Sequence, residues 1–148
     1  MKNIFVLTAI FALVLSACDN DGTEKNNETK KETTLTISNN SNREIKSFAW
    51  NGKTSDGKIK VGDTNTISIE PGTGYIYINV YRGAKPSFPY WYRNLRTNEI
   101  FTIDEGNKRT FILLTSTIII DVPTNKTYTF GEWASDPPDD QDWIYGAN

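Results

Sequence analysis

From residue 33 to about residue 130, apolar and polar positions alternate in short runs that turn-forming residues interrupt at near-regular spacing, which predicts antiparallel strands. Leu35 and Ile37 alternate with threonines, and Asn39, Asn40, Ser41 and Asn42 then form a turn. Residues 44–50 make a second run that ends at Asn51-Gly52, a hairpin signal because both positions tolerate positive φ. Within residues 64–70, Ile67 and Ile69 share a face before Pro71, Gly72 and Gly74 stop the strand. The clearest alternation is in residues 75–82, with Ile76, Ile78 and Val80 on one side and Tyr75, Tyr77, Asn79 and Tyr81 on the other. Residues 99–104 follow, with a turn at Glu105, Gly106 and Asn107.

The apolar stretch 109–122 would extend about 45 Å as one strand, at about 3.3 Å per residue. A domain of about 100 residues has a radius of gyration of only about 13 Å. A hairpin turning near Thr115 and Ser116 is therefore predicted. No amphipathic helix is visible. The expected fold is all-β: a single antiparallel β-sandwich of Ig-like or transthyretin-like architecture with about seven strands. Such a domain buries little more than about 60 % of its unfolded surface, so modest stability is expected.

Ahead of this region, residues 4–15 carry only Thr8 as a polar interruption, behind Lys2. That run is shorter than the roughly 20 residues a membrane span needs and has the form of a signal peptide. Leu15-Ser16-Ala17-Cys18 resembles a bacterial lipobox, which implies diacylglyceryl transfer to Cys18, cleavage between Ala17 and Cys18, and acylation of the new amino terminus. Two or three acyl chains anchor stably where one does not. The alternative is an ordinary secretory signal with a chance cysteine. Residues 19–32 contain no apolar side chain and read as a flexible tether of about 20 Å. Asp19 is either a sorting signal or a linker residue. The expected organisation is a signal peptide at 1–17, a lipidated cysteine and disordered linker at 18–32, a sandwich at 33–130 and a tail at 131–148. No later segment is apolar and long enough to cross a membrane.

Cys18 is the single cysteine, so no disulfide is expected, and the chain has no histidine. That excludes a Ser-His-Asp triad and His-ligated zinc. Charge is unevenly spread: residues 33–130 hold twelve bases against eight acids, whereas residues 131–148 hold five acids and no base. Residues 82–98 concentrate Arg82, Lys85, Arg93 and Arg96 without an acid, interleaved with Phe88, Tyr90, Trp91 and Tyr92. Read as a loop stiffened by Pro86 and Pro89, this segment makes Arg82, Phe88, Tyr90, Trp91, Tyr92, Arg93 and Arg96 the candidate ligand-binding residues. The alternative is that Phe88 and Trp91 cap the core while the arginines are solvated.

The tail matches that loop in charge and aromaticity, and either folds back on Arg93 and Arg96 or stays disordered. Asp136, Asp139, Asp140 and Asp142 miss the spacing of a calcium loop, so no metal or cofactor is expected. Asp104, Glu105 and Glu70 lie beside turn glycines and read as solvated acids, so no enzymatic activity is expected.

Four blocks resemble a small β domain of spirochaete, particularly treponemal, lipoproteins: residues 35–41, 48–52, 69–77 and 111–122. The resemblance covers turns and strands between residues 33 and 122, and it implies an outer-envelope setting without an activity to carry over. Residues 83–98 depart from the shorter pattern of that family. The expected protein is a non-enzymatic lipoprotein, anchored to membrane lipid through Cys18 and presenting its sandwich as an adhesin or interaction module. A glycan or protein is its expected ligand, and nucleic acid is not. The alternative is a periplasm-facing structural or inhibitory lipoprotein of the same envelope.

Overall fold

In the computed structural model, which describes residues 30–81, 91–136 and 144–145, the chain forms an all-β, sandwich-like fold. In chain order the strands are β1 (Thr34–Asn40), β2 (Ile45–Trp50), β3 (Lys53–Thr54), β4 (Thr64–Ser68), β5 (Gly72–Gly74), β6 (Ile76–Tyr81), β7 (Trp91–Thr97), β8 (Phe101–Ile103), β9 (Lys108–Leu114), β10 (Ile118–Asp121) and β11 (Lys126–Thr129). A short helix α1 (Phe130–Ser135) and a final strand β12 (Ile144–Tyr145) complete the described chain. The larger sheet runs β11-β10-β7-β6-β2-β3, a smaller one β4-β1-β9, and β5 pairs with β8.

One face of each sheet supplies the core. Leu35 and Ile37 of β1, Ile67 of β4 and Leu113 of β9 join Phe48 and Trp50 of β2, Ile76, Ile78 and Val80 of β6, Leu95 of β7 and Ile119 of β10 in a single buried cluster. Burying a side chain of this kind stabilises the fold by about 1.5–3 kcal/mol. The alternation read in β6 therefore sets which of its faces is dry. At the β2–β3 hairpin, Asn51 (φ 44°) and Gly52 (φ 84°) both take the positive-φ conformation that a tight hairpin turn needs. The apolar stretch after Arg109 breaks at Thr115 and Ser116 into β9 and β10, as its length requires, but the two strands join different sheets, so the turn crosses the sandwich and does not close the expected hairpin.

Three further features depart from the expected arrangement. First, β1 and β9 pair in parallel, from Thr34 opposite Lys108 to Asn40 opposite Leu114, so the fold is not wholly antiparallel. Second, the second half of the basic aromatic segment is a strand and not a loop. β7 lies inside the larger sheet, with β6 on one flank and β10 followed by β12 on the other. Its buried side alternates Arg93, Leu95 and Thr97, so only one of the three positions is apolar and the period-2 signal is masked.

Third, the folded unit continues past residue 130 into α1, where Phe130 and Trp133 are fully buried. Thr129 caps this helix: its Oγ1 accepts from the Glu132 N–H while Glu132 Oε2 accepts from the Thr129 N–H, so two helix-end donors are satisfied reciprocally. Arg43 lies 5.8 Å from the Trp133 ring centroid and donates from Nη1 to Ala134 O at 2.8 Å, tying the helix to the β1–β2 turn. That turn is itself held by Asn39, fully buried, whose Nδ2 donates to Arg43 O and Ile59 O while its Oδ1 accepts from Ser41 Oγ.

Candidate binding face

The side of the larger sheet turned away from the core carries a different chemistry. Because successive side chains of a strand point to opposite faces, burying Ile76, Ile78 and Val80 sends Tyr77, Asn79 and Tyr81 outward. Register then sets their neighbours: Tyr81 stands opposite Tyr92, Asn79 opposite Asn94, and Tyr77 opposite Arg96. On the other flank of β6, Ser47 stands opposite Asn79, and Asn79 Nδ2 donates to Ser47 Oγ at 2.8 Å.

The pairing of β2 with β6 slips between Ile45 and Ser47, so Lys46 is an extra, bulged residue. A bulge re-aims its side chain. Here the Lys46 ammonium lies 4.0 Å from the Tyr92 ring centroid and 5.7 Å from that of Tyr81. Lys58 brings a second ammonium to 4.9 Å from the Tyr81 centroid, and it also pairs with Glu44 Oε1 at 3.3 Å in an exposed position. At the far end of β6, the Arg96 guanidinium lies 4.0 Å from the Tyr75 ring centroid. Lys46, Ser47, Lys58, Asn79, Tyr81 and Tyr92 line much of an open concavity of about 400 Å³.

Each cation over a ring gains about 0.5–1 kcal/mol at an exposed site. The larger consequence is order. A lysine held on an aromatic ring loses less conformational freedom when an anion binds it. Among the described residues, no carboxylate lies within ion-pair distance of Lys46 or Arg96. Asp56 also lines the concavity and Glu44 pairs with Lys58, so the unpaired positive charge of the face rests on Lys46 and Arg96, among aromatic rings and amides.

Two of the residues singled out from sequence, Tyr92 and Arg96, stand on this face. Arg93 does not: it is a correction to the expected binding set. It projects from the opposite side of β7 into the core, completely buried, with Nε and Nη2 on the two carboxylate oxygens of Asp121. Trp91 belongs to β7, its backbone paired with Tyr145, but its side chain lies outside the described residues. Arg82, Phe88, Tyr90, Ala17, Cys18 and the acids Asp139, Asp140 and Asp142 also lie outside them.

Lys46, Lys58, Asn79 and Tyr81 were not among the sequence candidates. The alternation that placed Tyr75, Tyr77, Asn79 and Tyr81 on one face was the available signal for half of the site. The bulge that delivers Lys46 has no such signature.

Fold and face together define a β-sandwich-like domain with an aromatic and cationic outer sheet. No known protein family, curated protein or solved structure matches the chain. Among the described residues, no helix is long and apolar enough to cross a membrane.

Proposed function

We propose that the protein is a lipid-anchored, non-enzymatic binding module of the bacterial cell envelope, whose ligand lies on the outer face of β2, β6 and β7. The observation that supports this reading most is the convergence of Lys46, Lys58, Tyr81 and Tyr92 around one open concavity, from four separate parts of the chain. The lipobox at 15–18 supplies the anchor, and the apolar-free residues 19–29 supply reach from the lipid surface, since Lys30 and Glu32 already bond Glu70 and Ser68 of the folded domain.

Metabolic labelling with a fatty acid, followed by external protease on intact cells, tests the reading. Label in the wild type that is lost in Cys18→Ser, with cleavage on intact cells while a periplasmic control is spared, is the expected result. Absence of label overturns the anchor. Protection until the envelope is opened moves the module to the periplasm, as an envelope structural or inhibitory protein.

A further inference from the structure

Resting on that reading, we infer that the outer sheet face binds an acidic polysaccharide, laid along β6 and β7 with its carboxylate or sulfate groups on the ring-mounted cations. Three observations on the face carry this choice.

The first is the spacing of charge. Two lysines, Lys46 and Lys58, gather at Tyr81, and a single guanidinium, that of Arg96, lies over Tyr75. Six residue steps of extended chain lead from Tyr75 to Tyr81, about 20 Å at about 3.4 Å per step. A ligand that engages both ends is elongated and carries anionic groups along its length.

The second is where the face sits. β6 is flanked by β2 and β7, and β7 by β6, β10 and β12, so the backbone beneath the face is already committed to neighbouring strands. A peptide that binds by adding a strand needs an open sheet edge, and the strands beneath this face offer none. An acidic peptide held by side chains alone is the competitor that poly-L-glutamate tests. Recognition has to come from side chains alone, which suits a polymer of hydroxyls, C–H faces and acid groups.

The third is which rings remain open. Tyr75, Tyr81 and Tyr92 each carry a cation, whereas Tyr77, 38 % exposed, has none over it among the described residues. A single-stranded nucleic acid binds by stacking successive bases on successive free ring faces. One open ring between two cationic positions fits instead a sugar ring between two acid groups, and Asn79 and Asn94 beside it offer amide donors and acceptors to hydroxyls.

The test is binding of the full-length lipidated protein in detergent micelles to five immobilised probes: polygalacturonate, dextran sulfate, unmodified dextran, poly-L-glutamate and oligo-dT. Binding to the two acidic polysaccharides, at least about tenfold tighter than to the other three, is expected. It weakens as salt rises from about 0.05 M to about 0.5 M, because exposed ion contacts are screened over that range. Lys46→Gln with Lys58→Gln, and separately Arg96→Gln, each lower affinity by about tenfold. Tyr77→Ala lowers affinity without changing the salt slope. All four positions are at least partly solvent-exposed, and an unchanged thermal melt identifies variants that remain folded.

Equal binding of poly-L-glutamate or oligo-dT, or of dextran, overturns the assignment. If Tyr77→Ala or the lysine pair still abolishes that binding, the binding face itself stands. Failure of all five probes overturns the assignment. Anchoring and exposure, read separately by labelling and protease, decide the envelope reading.

Discussion

Arg93 of β7 and Asp121 of β10 form a two-point ion pair, 28 residues apart in sequence, with no solvent exposure on either side chain. Thr124 Oγ1 also donates to Asp121 Oδ2. Removing one partner leaves the other charge buried and uncompensated, which costs about 3–5 kcal/mol. Asp121→Ala and Arg93→Ala are each expected to lose that much in urea unfolding. An apolar pair, Arg93→Met with Asp121→Leu, recovers much of it, since replacing both charges removes their desolvation penalty as well. Losses below about 1 kcal/mol for both single variants, the range of an exposed pair, would contradict a buried one.

Asn39 places its amide where no water reaches, and four backbone or side-chain groups bond to it. Asn39→Ala leaves the carbonyls of Arg43 and Ile59 without that donor. A loss of about 2–4 kcal/mol is expected, read as a lower urea midpoint with an unchanged m-value. Asn39→Asp tests the direction of the contacts: it keeps the acceptor for Ser41 but not the donor, and is expected to be nearly as damaging.

Trp133 joins the segment after β11 to the core, packed at 6.3 Å between ring centroids with Phe130 and faced by Arg43. Trp133→Ala is expected to cost about 3–5 kcal/mol, the usual range for emptying a buried aromatic site. Deleting residues 131–148 is expected to cost at least as much. Thermal unfolding of the truncated protein measures it, and an unchanged midpoint would mean that the segment is a dispensable tail.

The α1 cap is also a pH-sensitive contact. The Glu132 carboxylate accepts from the Thr129 backbone N–H and from its hydroxyl, and these bonds hold its pKa below the usual glutamate value. A folded-state pKa below the unfolded one, about 4.3, makes the contribution to stability fully present above that value. It is lost as pH falls through the folded pKa. NMR titration of the Glu132 side chain is expected to give a midpoint below that of the exposed glutamates. Thr129→Ala, which keeps the backbone donor and removes the hydroxyl, moves it part of the way back.

How far the chain could be read locally differs from strand to strand. β6 was legible because its buried side is Ile76, Ile78 and Val80, three apolar residues at period two. β7 has the same geometry yet reads as loop in the sequence, because its buried side presents Arg93, Leu95 and Thr97. An arginine on the dry face is tolerated only with a carboxylate delivered to it, and Asp121 comes from another strand. The candidate face divides in the same way. Tyr92 and Arg96 stood out by local composition, whereas Lys46, Lys58 and Tyr81 join them only through register and a bulge.

By itself, the sequence determined what is encoded within a few residues: the strand positions of β1, β2, β4 and β6, the positive-φ turn at Asn51-Gly52, the break at Thr115-Ser116 and the dry face of β6. These follow from side-chain alternation and from backbone conformations that few residues accept. Tertiary structure alone decided the parallel pairing of β1 with β9, the burial of Arg93 against Asp121, the docking of Trp133 and the meeting of two lysines over Tyr81. Each of these depends on free energy shared between residues distant in the chain, and no local pattern of one partner specifies the other.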